Sequence, residues 1–237
     1  MPQSFFIWNG IDCRSMGVIM RGPAAIVRPE ERVQHVTIPG RTGDLTELEG
    51  DNIYNSYIQT VSFSVRGGHR VREIYKWLRG SGYVTFSGEP DRKQAARIIG
   101  AITLNKVSRN LDNWAGEVQF YCQPMKQKLT EDTVTVTSSG TAVQNTGDVE
   151  SRPKITAKAS GSSMTITAGG KSLTITGLTS GSEYIIDSEI MEVSNAARTA
   201  LLTKDSVGSF PVLTPGSNAV TGSGWSKLVI DRRERFL

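Results

Sequence analysis

The residues able to do chemistry in this 237-residue chain are few and far apart. Two histidines, His35 and His69, are too scattered for a zinc pattern, and neither stands near a nucleophile motif. His69 opens the one helical pattern beside Arg70 and Arg72, whose charges oppose its protonated form. His35 lies in an alternating run where a surface position is natural. Asp187 and Glu189 fall on one side of a strand pattern and could imitate a glycosidase pair, but such a spacing more commonly caps a turn. Glu47, Glu49 and Asp51 alternate as a polar strand edge does. Gly222-Ser223-Gly224 precedes a strand pattern, so it lacks the helix N-terminus a phosphate site uses. Cys13 and Cys122 have no CxxC spacing and read as two buried or idle thiols, a disulfide between them being the alternative. The expectation is a protein with no active site, no metal and no cofactor.

Stepping out to the elements that would hold such residues, the texture changes midway. In residues 1–125, Val71, Ile74, Tyr75 and Leu78 follow helical spacing within Gly68 to Arg79, and Gly80 suits the helix end. Val61, Phe63 and Val65 alternate with polar residues, as a half-buried strand requires. Further strands are expected at Tyr83–Phe86, at Arg97–Val107, and at Val118–Cys122, where Pro124 stops the pattern. Phe5–Trp8 and Met16–Met20 flank a turn at Asn9-Gly10. Residues 126–237 are rich in Ser, Thr and Gly. Short alternating runs at Lys154–Ala157, Met164–Thr167, Ser172–Thr176, Tyr184–Asp187 and Trp225–Ile230 predict an all-β sandwich. Gly169-Gly170 between two of them predicts a hairpin. The fold class expected is mainly β: an α+β first domain with one helix, then a sandwich, divided near residues 123–130.

The formal charge of +4 is spread over both halves without a basic run, which reads as ordinary solubilising charge. No stretch approaches the ~20 apolar residues of a membrane helix. The first eight residues lack the basic start and long apolar run of a secretory signal, so a cytosolic product is expected.

Several separated phrases carry more information than any single residue. They are Trp8-Asn9-Gly10-Ile11-Asp12, Ile38-Pro39-Gly40-Arg41-Thr42-Gly43-Asp44-Leu45, Asn145-Thr146-Gly147 with Ser151-Arg152-Pro153, Ile186-Asp187-Ser188-Glu189, and Phe210-Pro211 followed by Pro215-Gly216 and Asn218. Each is turn chemistry alone; in this order and separation the chain resembles the distal tail proteins of long, non-contractile-tailed bacteriophages. One departure is that the last strand leads to Arg232 without the expected Pro-aromatic pair.

The resemblance implies a β-rich first domain with one helix (1–125) and a galectin-like sandwich (126–237). Six first domains would form a homohexameric ring at the virion's tail tip. The ring would join the tail tube protein to a tail-associated hub or fibre protein, with DNA passing through and no membrane involved. Assembly would take place in the bacterial host cytoplasm. The short turns at Ala168–Lys171 and Leu178–Gly181 leave no span for a receptor-binding arm, so adhesion would belong to the protein beneath the ring. The competing reading is a sandwich that binds host-wall saccharide, for which Tyr184, Phe210, Trp225 and Phe236 are the available aromatic platforms.

Overall fold

A computed structural model describes residues 4–48, 50, 52–130 and 133–237. Glu49 and Asp51 of the polar run noted above lie outside the described residues. The chain divides into two compact units: the first runs to Leu129 and takes in Leu237, and the second is Thr130–Phe236.

The first unit is one antiparallel sheet with a helix on its buried face. Its strands are β1 (Phe6–Trp8), β2 (Ile11–Asp12), β3 (Val18–Met20), β6 (Tyr57–Arg66), β7 (Ser81–Phe86), β8 (Arg92–Ile99), β9 (Leu104–Lys106) and β10 (Asn113–Lys128), in the order β2-β1-β7-β8-β10-β6-β3, with β9 also on β10. A separate two-stranded ribbon, β4 (Val33–Val36) with β5 (Leu45–Leu48), stands off this sheet.

The alternation that marked β6 is borne out: Val61, Phe63 and Val65 are buried, and on β10 so are Val118, which lies opposite Val61, and Phe120 and Cys122 further along the same strand. The other edge of the core is aromatic. The Phe120 ring meets those of Phe6, Trp8 and Phe86 at 5.5, 5.5 and 5.8 Å.

Several details correct the expectation. The helix is shorter: a 3-10 turn (Gly68–Arg70) leads into α1 (Val71–Trp77), with no side-chain cap at its start. Ile74 and Leu78 are buried, but Tyr75 is exposed, and Trp77 takes the inner place instead. Trp77 stacks on Phe6 at 5.5 Å and donates its indole N–H to the Trp8 carbonyl at 3.3 Å. The strand expected at Arg97–Val107 begins earlier, as β8, and breaks at Gly100 before β9. Pro124 does not stop β10. The register slips between Cys122 and Lys126, and this irregularity absorbs the missing proline N–H inside a longer strand. Beyond the Asn9-Gly10 turn, β1 pairs with β2, while Val18–Met20 pairs with β6.

The second unit is a sandwich of two five-stranded antiparallel sheets. One has the order β11 (Thr133–Val136), β20 (Trp225–Asp231), β13 (Lys154–Ala159), β16 (Glu183–Asp187), β17 (Glu192–Asn195). The other has the order β12 (Thr141–Asn145), β19 (Gly216–Ser223), β14 (Ser163–Ala168), β15 (Lys171–Thr176), β18 (Ser206–Gly208). Their inner faces share one core in which Val136, Ile155, Ile186, Leu228 and Ile230 meet Val143, Met164, Ile166, Leu173, Ile175 and Val220. The expected hairpin joins β14 to β15, with Gly169 at φ 58° and Gly170 at φ 73°, the left-handed pair that this turn requires. Among the described residues no helix is long and apolar enough to cross a membrane.

Candidate assembly surfaces

The Ile38–Leu45 phrase forms the tip of the β4–β5 ribbon. Four residue pairs hold the ribbon in register, Val33 with Leu48 through Val36 with Leu45. The pairing continues toward its root, where Arg32 N–H donates to the Ile53 carbonyl at 2.9 Å and Asn55 N–H to that of Glu30 at 2.8 Å. At the tip, Thr37 Oγ1 donates to Asp44 at 2.9 Å, and Arg41 N–H to the Ile38 carbonyl at 3.1 Å. Gly40 and Gly43 both sit at φ 82°, the reason glycine occupies those positions. Pro39, Gly40, Arg41, Gly43 and Asp44 are exposed, Ile38 is exposed, and Leu45 is half-buried. No residue of β4 or β5 is buried. A two-stranded ribbon with no buried residue is marginal in water by itself.

The phrases of the second unit, far apart in sequence, converge on one end of the sandwich. Asn145 Nδ2 donates to the carbonyls of Val149 (3.2 Å) and Leu213 (2.8 Å), while its Oδ1 accepts from Gly147 N–H at 2.9 Å. Ser151 exchanges both backbone bonds with Leu213, at 2.9 and 3.0 Å. Pro211 is buried and Phe210 packs against the core. Pro215 is exposed and Gly216 opens β19. Asn218 folds this segment on itself, accepting from Thr214 N–H and Oγ1, both at 2.9 Å, and donating to the carbonyls of Thr214 (2.7 Å) and Gly216 (3.0 Å). Ser188 N–H reaches the Pro153 carbonyl at 3.1 Å.

Asp187 and Glu189 are not a catalytic pair on one strand. Asp187 ends β16, whereas Glu189 lies in the turn beyond it, and each carboxylate faces its own arginine. Arg233 grips Asp187 with two bonds, 2.6 and 2.9 Å, and Arg235 pairs with Glu189. Burial pushes the Asp187 carboxyl upward. The Arg233 bonds and charge, with the N–H groups of Glu189 and Ile190, outweigh that and hold it below the usual carboxylate range. A carboxyl whose folded value is depressed stabilises the fold above its unfolded value, near pH ~3.9, and that contribution is lost as pH falls through the folded value. The melting temperatures of wild type and Asp187→Asn are therefore expected to differ at pH 7 and to draw together as pH falls below the ordinary carboxylate range. A gap that stays constant from pH 7 to pH 2.5 would contradict this.

Two partners in this corner escaped the sequence reading. Glu234 is buried and accepts from Thr146 N–H and Oγ1, both at 2.8 Å, while pairing with Arg232 at 3.2 Å. Arg232, also buried, donates to the Gln144 carbonyl at 2.6 Å. Only the mixed charges of Asp231 to Arg235 hinted at them.

Both thiols are buried, and burial pushes Cys122 up to about 12 and Cys13 upward, so neither is a ready nucleophile. Among the described residues no three His, Cys, Asp or Glu groups gather into a metal site. Tyr184, Trp225 and Phe236 are buried, and Phe210 is partly so; this set offers no open aromatic platform to a sugar ring.

No protein-family model matches the chain, and no curated protein does. Among solved structures the chain is similar to the Dit protein of phage SPP1, described as a paradigm of the hub adsorption apparatus in phages infecting Gram-positive bacteria. The two are 19% identical, with 99% of each chain covered and a TM-score of 0.79. The baseplate of phage p2 in its activated conformation with Sr aligns at 7% identity, covering 96% of this chain and 97% of that one, with a TM-score of 0.44. The first likeness establishes a shared fold over the full length; the second is too slight to argue from.

Proposed function

We propose that this protein is the structural hub at the distal end of a bacteriophage tail. Six copies form a ring through the first domain, residues 1–125. The ring joins the tail tube protein to a tail-associated hub or fibre protein and lets DNA pass without sequence-specific contact. The second domain, a galectin-like sandwich spanning 126–237, is carried on the ring as a connector, and adhesion belongs to the protein beneath. The observation that carries this reading is the full-length likeness, across both units, to a phage hub protein.

The ribbon agrees with it. An element with no buried residue, with exposed Ile38 at its tip and Leu48 near its root, is suited to contact between copies. Mild, well-mixed charge likewise suits a protein that packs against others of its kind, where polar pairs fix register more than they add affinity.

Mass photometry of the purified full chain across a concentration series provides the test. The expected result is a species of six times the 25.8 kDa chain mass, seen as closed rings in negative-stain images. A monomer at every concentration up to the millimolar range, with no ring on addition of the tail tube protein, would refute the hub reading.

A further inference from the structure

The phrase Trp8-Asn9-Gly10-Ile11-Asp12 forms the hairpin between β1 and β2 in the first unit. Trp8 stands opposite Ile11, so Asn9 and Gly10 are the two turn residues. Both take positive φ, 50° and 80°, and both are exposed. Asn9 also reaches sideways to β7. Its N–H donates to the Tyr83 carbonyl at 3.0 Å, and its Oδ1 accepts from the Tyr83 N–H at 3.0 Å. Gly82 makes room for this latch, because a Cβ there would lie 1.7 Å from Asn9 Oδ1 and 2.5 Å from its Cγ. Gly82 is outside the left-handed region, so the seat for the carboxamide, and not the backbone, is what calls for glycine.

The same turn holds the reactants of a spontaneous reaction. Among the described residues neither the Gly10 N–H nor Asn9 Nδ2 has a hydrogen-bond partner, and Gly10 has no side chain to hinder approach. Once deprotonated, the Gly10 nitrogen can attack Asn9 Cγ. The N–Cγ bond forms, the Cγ–Nδ2 bond breaks, and Nδ2 departs as ammonia with the proton that the Gly10 nitrogen gave up. Water then opens the five-membered succinimide at one of its two carbonyls. Hydrolysis at Cγ gives aspartate. Hydrolysis at the main-chain carbonyl gives isoaspartate, whose backbone is one carbon longer. The attack requires the carboxamide to swing toward Gly10, and the bond to Tyr83 opposes that swing.

We propose that Asn9 is a self-modification site of the folded protein, and that its bond to Tyr83 sets the pace. Isoaspartate does not fit a two-residue turn between Trp8 and Ile11, so its formation unlatches the hairpin beside Trp8, which is fully buried against Phe120. Each conversion also places a new carboxylate on the exposed turn.

The test incubates the full chain at pH 8.5 and 37 °C in water enriched in heavy oxygen, and follows the peptide containing Asn9 by mass spectrometry. Folded wild type is expected to convert measurably within eight weeks, taking up one labelled oxygen per event. Unfolded in urea, the same chain should convert at least tenfold faster. Gly82→Ala evicts the carboxamide from its seat, and when folded it should convert at least fivefold faster than folded wild type. The isoaspartate form, separated by ion exchange, should melt below Asn9→Asp, which keeps the acceptor for Tyr83. If Asn9 stays intact in folded wild type through eight weeks, the site does not exist. Equal rates for folded and unfolded chains, or for folded Gly82→Ala and wild type, would remove the latch as the pace-setter. An isoaspartate form that melts together with Asn9→Asp would overturn the unlatching. Where Gly82→Ala does not fold, the ratio of the two wild-type rates decides alone.

Discussion

Glu234→Ala is expected to cost the second unit about 3–5 kcal/mol, the usual penalty for removing one partner of a buried ion pair. Glu234 and Arg232 have side chains only 1% and 10% exposed, so the guanidinium left behind gains little from water. Two further bonds go at the same time, those from Thr146 N–H and Oγ1. At ~4–8 °C per kcal/mol for a domain of this size, the corresponding transition should fall by at least about 12 °C in scanning calorimetry. Glu234→Gln separates the contributions. Its amide oxygen still accepts from Thr146, but the charge facing Arg232 is gone, and a loss nearer 2–3 kcal/mol is expected. A double-mutant cycle with Arg232→Met should then show strong coupling, because removing both charges relieves the cost of leaving one. If Glu234→Ala melts within 2 °C of wild type, the corner is not held as described.

Phe120→Ala is the corresponding lesion in the first unit. The ring is fully buried and touches Phe6, Trp8 and Phe86, two of them edge-on, the geometry aromatic quadrupoles favour. Truncation removes the transfer free energy of a large side chain and leaves a cavity that β1 and β7 cannot both close, at a cost of about 3–5 kcal/mol. Phe120→Leu, which keeps most of the volume, should cost no more than about half as much. Urea titration of the full chain would show both values in the midpoint. Equal stability of the Leu and Ala variants would mean that the neighbours collapse freely into the space. Such a collapse would contradict a core built around this ring.

How far each feature was legible in the sequence follows from the distance over which its cause acts. Strand β6 was legible because alternation is local: one face meets the core and the other water, so Val61, Phe63 and Val65 announce themselves. The Gly169-Gly170 hairpin was legible because the turn dictates its residues. The helix was legible in kind but not in extent, since nothing in Arg70 caps it and the inner position of Trp77 is set by Phe6, about 70 residues away. Pro124 misled because the irregularity that accommodates it is a property of the β8–β10 pairing, not of β10 alone. The family phrases stood out because turns and corners need particular residues, as Asn218 and Gly40 do. The meeting of the second-unit phrases at one corner was invisible, as were Arg232 and Glu234, whose partners lie 88 residues upstream.

The strand order of the sandwich bears on how the chain acquires its shape in time. Among the described residues the earliest strand of each sheet has a single neighbour, and that neighbour comes late: β11 pairs with β20, and β12 with β19. As synthesis proceeds, β13 to β17 can pair among themselves, β14 with β15, β13 with β16 and β16 with β17, but β11 and β12 must wait with unmatched backbone until residues 216–231 emerge. Closure is thus a late, long-range event, the kind that makes folding slow and leaves edges open in the meantime. A prematurely terminated product lacking those residues has no means of completing either sheet. It would be recognisable to proteases as unfinished, and the topology thereby screens each chain for completeness.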